Sequence, residues 1–492
     1  MAPKNYLAFD LGAESGRAVL GTLDGGRIAL REIHRFPNGP LTVLGRLHWN
    51  VYALLDGIKA GMAACAAEGA AVESLAVDTW GVDFGLLAAD GSLLGLPFAY
   101  REPRNAGAME RFFGIVPRER LYDRTGIQFL PFNSVFQLQA LRENNTALLG
   151  AADRFLMMPD LFTYFLSGTK INEATIASTS QLLDPRLKAW APDLLEALGI
   201  RPSLFSAPLD PGQVVGTLLP GPAKETGLPQ IPVVAAASHD TASAVAAVPA
   251  VGEDWAYISS GTWSLIGIEA AAPIINAESR RLNFTNEGGV GGTIRFLKNV
   301  TGLWLVQQCR RKWNADRSMS YEDMRVLSES APPFGAFIDP DAPDFANPED
   351  MPAAIRGYCR RTGQKMPQTP AEITRCAIES LALKYRQVLD DLRRLSPRPI
   401  RTLHVIGGGS RHVQLCQYTA DAAKIPVVAG PAEATALGNI MAQAVALGHA
   451  ESIGSMRTAA ASSFMLERYE PRDTGAWDRA YERFAEIIGR NP

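Results

Sequence analysis

Cysteine is scarce and scattered: five residues in 492, at positions 65, 309, 359, 376 and 416, with no C-x-x-C pair. That spacing excludes a disulfide scaffold and a structural zinc site, and free thiols suit a reducing cytoplasm. Cys359 and Cys376 alone are close enough in sequence to bridge a local loop. An excess of one charge is missing too: 48 Lys+Arg against 51 Asp+Glu leave −3, with no basic tail. Nothing here marks a nucleic-acid or anionic-membrane partner. No long apolar run is unbroken either. The nearest, residues 231–251, is interrupted by Ser238-His239-Asp240-Thr241, which argues against a membrane span. Residues 1–5 lead into a strand without an apolar signal segment, so a cytoplasmic protein is expected. The chain also lacks the G-x-x-x-x-G-K-[ST] order of a P-loop, so any nucleotide would be held another way.

What is present is an alternating α/β pattern long enough for two domains. Residues 6–20 read as strand, small polar loop through Arg17, strand, with Asp10 closing the first strand. Such a tip can surround a phosphate with backbone N–H groups and hydroxyls, and a strand-end carboxylate can hold hydrated Mg²⁺. A plain polar hairpin is the alternative. Residues 4–36 predict a three-strand meander turning at Asp24-Gly25-Gly26. A helix over 51–68, a strand over 74–78 and a short strand pair around 84–87 follow. Residues 105–230 read as insertions carrying a binding site rather than core sheet. Near residue 250 the pattern restarts: 255–269 is again strand, hydroxyl-rich loop, strand, and 426–429 is a later strand. Two similar domains, 1–249 and 250–492, facing across a cleft are expected, with chance likeness between two hairpins as the rival reading.

Four clusters carry candidate chemistry. Gly407-Gly408-Gly409, after a strand over 403–406, is either a strand-to-helix turn or a place where a flat ligand such as adenosine approaches the backbone. Ser238-His239-Asp240-Thr241 ends a strand over 231–237 and starts a helix over 242–248. Asp240 or Thr241 there is an N-cap, or Asp240 takes the proton of a sugar hydroxyl attacking a phosphoryl group. His239 by itself reads as a packing or hydrogen-bonding residue. Asp78-Thr-Trp-Gly-Val-Asp83 suits polyol recognition or a buried tryptophan beside a turn. Residues 298–307 read as a helix start bearing Asn299 and Gln307, both equally at home as surface amides.

Several blocks in order resemble the FGGY family of carbohydrate kinases: 34–38, 78–84, 237–245, 296–304 and 429–440. The resemblance runs over roughly residues 4 to 450. It implies the two-domain, ribonuclease H-like fold of the actin and hexokinase superfamily. Its branch implies ATP-dependent phosphorylation of L-rhamnulose at the 1-hydroxyl. By likeness, Ala13, Glu14, Ser15, Gly16 and Arg17 would clasp ATP phosphates, with Asp10 near Mg²⁺. Thr262, Gln307 and Gly408 would bind the nucleotide. Gly81, His239, Asp240, Thr241 and Asn299 would meet the sugar, Asp240 as proton acceptor. A kinase for L-fuculose or xylulose, a superfamily ATPase that phosphorylates nothing, and a sugar sensor without catalysis are the rivals. Two residues depart from the pattern. Glu14 puts a carboxylate in a phosphate loop and is expected to point away, pair with Arg17 or hold the metal's water shell; Asn50 follows Trp49 where the family commonly has Asp.

Overall fold

The computed structural model describes residues 2–314 and 318–489. It forms two compact units. The first comprises Met1–Pro249, Glu269–Leu297 and Ala434–Phe464; the second comprises Ala250–Ile268, Lys298–Glu433 and Met465–Pro492. No helix among the described residues is long and apolar enough to cross a membrane.

The first unit is built on strands β1 (Lys4–Leu11), β2 (Ser15–Asp24) and β3 (Arg27–Pro37). Gly25 and Gly26 form the β2–β3 turn with φ of 55° and 81°, a conformation that matches the twist of the flanking strands. Helix α1 (Val51–Ala67) follows, then β4 (Val72–Thr79), β5 (Gln213–Thr217), β6 (Pro232–Ala235) and helix α2 (Asp240–Ala246). The six strands run β5-β6-β4-β1-β2-β3. β1 is antiparallel to β2 and parallel to β4, which is parallel to β6. On α1 the buried residues Val51, Leu54, Ile58, Met62 and Cys65 recur at helical spacing and give it one apolar face. Asn50 caps this helix, its Oδ1 accepting from Ala53 N at 3.2 Å. Asn and Asp serve equally as N-caps, so the departure at position 50 has a local structural role.

Two expectations need correction here. The strand Phe84–Leu87 does meet a sequence neighbour, Leu87 bridging Leu93 and Leu94 N donating to Leu86 O at 2.8 Å, but its full-length partner is Arg154–Met157, about seventy residues on. Within 105–230, Gln213–Thr217 joins the main sheet as its edge strand, because its partner β6 leaves that edge open. Much of the rest packs with Phe84 and Leu86 in a second apolar cluster around Phe112, Phe136, Phe155 and Leu194, while Leu161, Phe162 and Leu166 join the core of the main sheet.

The second unit repeats the motif. β7 (Trp255–Ser260) is antiparallel to β8 (Trp263–Ala270), whose last two residues lie in the first unit. Helices α3 (Trp304–Trp313) and α4 (Pro370–Leu395) follow, then β9 (Thr402–Ile406), parallel to β7. Helix α5 (Val413–Ala423), β10 (Val427–Ala429) and β11 (Glu467–Tyr469) complete it. The sheet runs β8-β7-β9-β10-β11, and beyond β8 it continues through Ile294–Thr301 and then Thr285–Gly288, seven strands in all. In each unit, therefore, an antiparallel hairpin continues through its first strand into parallel neighbours. Open α/β sheets of this kind place ligands beyond the carboxyl ends of the parallel strands.

Candidate active site

Asp10 closes β1, directly opposite Arg17 on β2 and in register with Asp78 on β4. Residues at matched register on adjacent strands share a face, so two carboxylates and one guanidinium stand in a row. Arg17 is ion-paired to Asp10 Oδ2. Asp78 is fully buried. Its Oδ2 accepts from Asn439 Nδ2 at 2.6 Å; Asn439 Oδ1 accepts from Gln443 Nε2 at 2.8 Å; Gln443 Oε1 accepts from Ser74 Oγ at 2.7 Å. Asp78 Oδ1 has no protein partner. Burial first, and the charge of Asp10 next, push the Asp78 carboxyl well above the ordinary range.

The turn after β6 lies beside this row. Thr79 N donates to Ser238 O at 2.9 Å, and Ser238 N and His239 N donate to Glu173 Oε2 and Thr175 Oγ1, both at 3.2 Å. Glu173 also accepts from Thr175 N and Oγ1 and from Ile176 N, so one buried carboxylate ties the turn to the helix Ala174–Ser178. The residue capping α2 is His239, whose side chain makes no capping bond. Asp240 is thus free of the capping role, and its Oδ1 accepts from Thr241 Oγ1 at 3.0 Å. About a third of its side chain (31%) is exposed, against 9% for His239.

His239 bridges two ionic groups. Its Nε2 stands 3.4 Å from Asp240 Oδ1, and its Nδ1 stands 3.3 Å from Glu287 Oε2. Arg295, fully buried, donates from Nη2 to His239 Nδ1 at 3.0 Å and lies 3.1 Å from Glu287 Oε2. Desolvation raises the Asp240 carboxyl above its ordinary value; His239 opposes that shift and Asp10 adds to it. A carboxylate that keeps partial access to solvent and is held from one side by an imidazole can accept a proton from a substrate hydroxyl.

The polar loop is shorter than expected. Ser15, Gly16 and Arg17 already belong to β2, paired to Pro37, Leu11 and Asp10. The tip proper is Gly12, Ala13 and Glu14, pinned by Gly12 N to Ser15 O (2.9 Å), Asn38 N to Glu14 O (3.0 Å) and Asn38 Nδ2 to Gly12 O (2.7 Å). Glu14 is exposed, and Arg17 is ion-paired to Asp10. Gly81 lies against Thr179: a Cβ there would be 3.2 Å from Thr179 Cγ2, and Val82 N donates to Thr179 Oγ1 at 3.0 Å.

In the second unit, Thr262 Oγ1 donates to Gln307 Oε1 at 3.1 Å, joining the second hairpin tip to α3. Residues 298–301 are not a helix start: they finish the strand Ile294–Thr301, with Asn299 on it. The helix begins at Trp304, because Gly302 N, Leu303 N and Trp304 N donate to the hairpin carbonyls Thr262 O, Gly261 O and Thr262 O. The triple glycine also divides. A Cβ on Gly409 would lie 2.0 Å from Ser260 Oγ and one on Gly407 3.0 Å from Ser260 O, so these two admit the end of β7. Gly408 alone faces open space.

Residues 5–247 match the N-terminal domain of the FGGY family of carbohydrate kinases, and residues 256–447 match its C-terminal domain. The chain belongs to the FGGY family of carbohydrate kinases. This FGGY kinase is 51% identical over 485 residues to a rhamnulokinase of Bacteroides thetaiotaomicron, covering 99% of each chain. It is 43% identical over 493 residues to a rhamnulokinase of Pectobacterium carotovorum, covering 99% of this chain and 97% of that one. Its fold is similar to that of ligand-bound xylulose kinase from Lactobacillus acidophilus (TM-score 0.83, 16% identity, 99% and 98% covered). It is similar also to Plasmodium falciparum glycerol kinase with ADP (TM-score 0.76, 14% identity, 98% of each covered). The fold is thus the two-domain α/β sugar-kinase fold of the actin and hexokinase-like ribonuclease H class, and the chain is a sugar kinase that uses ATP.

Five residues of this FGGY kinase escaped the sequence reading: Glu173, Glu287, Arg295, Asn439 and Gln443. Asn439 and Gln443 had a visible signal, two amides four apart in an Ala-rich helix, and so on one face. Glu173, Glu287 and Arg295 are single charged residues whose burial comes from distant segments.

Asp83 shows the inward half of the 78–83 block. It is fully buried, with Oδ2 accepting from Trp49 Nε1 (2.6 Å), Trp80 Nε1 (2.9 Å) and Tyr100 N (3.3 Å), and Oδ1 from Gln137 Nε2 (2.9 Å). Burial raises its carboxyl to about 6 despite these four donors. Gln137 Nε2 also donates to Val82 O and Phe132 O, so its amide is not free to flip. In Asp83→Asn one acceptor becomes a donor facing donors. The variant is expected to lose about 1–3 kcal/mol of stability, read as a lower urea midpoint at unchanged slope.

Proposed function

We propose that this FGGY kinase transfers the γ-phosphoryl group of ATP to the 1-hydroxyl of L-rhamnulose, giving L-rhamnulose 1-phosphate and ADP. The observation that carries the chemistry is Asp240, a partly exposed carboxylate at the end of the parallel strands, excused from capping and held by His239. The sugar is supplied by the relatives, eight of which at 38–51% identity are rhamnulokinases.

In this reading Asp240 takes the O1 proton as O1 forms its bond to the γ-phosphorus and the bond to the β–γ bridging oxygen breaks. Little covalent work falls to the protein, so positioning and charge neutralisation dominate. Gly81, His239, Thr241 and Asn299 hold the sugar. Backbone groups of residues 13–17 meet the phosphates, and Thr262, Gln307 and Gly408 meet the nucleotide. Residues 1–249 thus carry the first phosphate loop and every proposed sugar residue but Asn299, and 250–492 carry the nucleotide residues and the second phosphate loop.

Mg²⁺ belongs to the same reading. Asp10 and Asp78 act on each other electrostatically beside one guanidinium, and Asp78 Oδ1 lacks a protein partner, so this pair of carboxylates fits a hydrated cation. Among the described residues no group of three or more His, Cys, Asp or Glu forms a direct ligand cage. The ion would come with its own water and phosphate ligands, Asp10 holding that water shell, and would neutralise phosphate charge. Five buried free thiols support a cytoplasmic setting.

ADP release measured over a panel of ketoses should be fastest with L-rhamnulose; a higher kcat/KM for L-fuculose or D-xylulose would overturn the substrate assignment. Release without any sugar at the same rate would overturn kinase action itself. Glu14, exposed at the loop tip, is assigned to the metal's water shell: Glu14→Ala should raise the Mg²⁺ concentration needed for half-maximal rate. Unchanged Mg²⁺ and ATP dependence would sink that role.

A further inference from the structure

The contacts around His239 bear on which ring nitrogen carries its proton. A guanidinium has five N–H groups and no acceptor, so the 3.0 Å contact from Arg295 Nη2 requires a lone pair on His239 Nδ1. A neutral imidazole that accepts at Nδ1 carries its proton on Nε2. That nitrogen is the one 3.4 Å from Asp240 Oδ1. Glu287 lies within 3.3 Å of the same Nδ1 and would favour the opposite arrangement, with Nδ1–H donated to a carboxylate. Arg295 lies 3.1 Å from that Glu287 oxygen and so competes with it for the imidazole.

We propose that Arg295, with Glu287 as its counter-ion, is a positioning residue that locks His239 in the Nε2–H form, so that the imidazole always donates toward Asp240. This rests on the reading of Asp240 as the proton acceptor. Three observations converge on it. Arg295 is fully buried, and its Nε is anchored to Gly288 O at 2.8 Å, which fixes the fork facing His239. Its Nη1 has no protein partner, and burying a guanidinium with one nitrogen unsatisfied is a cost that packing alone does not explain. The turn carrying His239 is tied down by Glu173 and Thr175, so the imidazole has little freedom to answer by moving. With the proton on Nδ1 instead, a lone pair on Nε2 would face the carboxylate, repelling it and leaving it without this donor.

The test reads the tautomer directly. In enzyme labelled with ¹⁵N-histidine, the His239 signals are assigned by their loss in His239→Gln. The expected result at neutral pH is a protonated Nε2 and an unprotonated Nδ1; a proton on Nδ1, alone or in an imidazolium, overturns the proposal. In Arg295→Met the proton should move to Nδ1 and kcat should fall about tenfold or more, the worth of one charge-assisted hydrogen bond, with KM for both substrates nearly unchanged. Unchanged kcat, or a loss confined to KM, would overturn it. Arg295→Lys keeps a donor and should restore the Nε2–H form and most of kcat, which a merely structural arginine would not predict. Should Arg295→Met not fold, the wild-type and Arg295→Lys signals decide alone. Near-normal turnover in Asp240→Asn would remove the base reading while leaving the tautomer assignment to its own signals, so the two failures are separable.

Discussion

Asp240→Asn should lower kcat by between about 10²- and 10⁴-fold, the usual worth of a positioned general base, with ATP binding retained, if Asp240 is the proposed proton acceptor. The substitution keeps volume and shape. An Asn Oδ1 still accepts from Thr241 Oγ1, and the turn between β6 and α2 keeps its ties to Glu173 and Thr175. What is lost is basicity. The same variant should be more stable than the parent at neutral pH. Burial and Asp10 raise the Asp240 carboxyl in the folded protein. A carboxyl with a raised folded-state value favours folding while protonated and disfavours it once pH rises past that value. The neutral amide escapes that penalty, so its thermal midpoint at neutral pH should rise as kcat collapses. Calorimetry and single-turnover phosphoryl transfer on one preparation check both halves. Near-normal turnover would reject Asp240 as base.

Gly438→Ala should be among the most destabilising single substitutions in the chain. Gly438 lies in the helix Ala434–Ala446, and a Cβ built on it would stand 1.7 Å from the Ser243 carbonyl oxygen of α2. The obstacle is backbone in the middle of a helix, so no rotamer change relieves it. The helices must part, opening a seam lined by Asn439 and its bond to Asp78. A loss above about 4 kcal/mol, or failure to accumulate as soluble protein, is expected. Because α2 carries Asp240 at its first turn, any folded fraction should also show reduced kcat, since displacement by about 1 Å can cost about 10²-fold. Urea unfolding gives the stability, and kcat per folded molecule gives the second effect; a stability close to that of the parent would show that the helices do not meet at this glycine.

Local rules made much of the chain readable before any coordinates. The meander of β1 to β3, its Asp24-Gly25-Gly26 turn, α1 and the restart at β7 follow from periodicity and turn chemistry, which act over a few residues. The helix boundary at 304 was missed because it is imposed from outside, by hairpin carbonyls some forty residues away that take up the N–H groups of residues 302–304. Likewise Phe84–Leu87 reads as a strand, but its pairing with Arg154–Met157 is a tertiary choice.

Asp10, Asp240, Thr262 and the glycine run were visible in the sequence because each sits at a strand end or turn, where a polar residue breaks an apolar run. That pattern, with its ordered blocks, determined the class of fold and a kinase's chemistry. What surrounds those residues was decided only by the tertiary structure. Arg295 and Glu287 meet His239 across about fifty residues, and Asn439 meets Asp78 across 361. Charge and hydrogen bonding act through space, and a lone buried Arg or Glu leaves no periodic trace in the chain. The structure also separated the roles of three adjacent glycines and turned Asp83 inward, because close packing between distant segments fills whatever room the local sequence leaves.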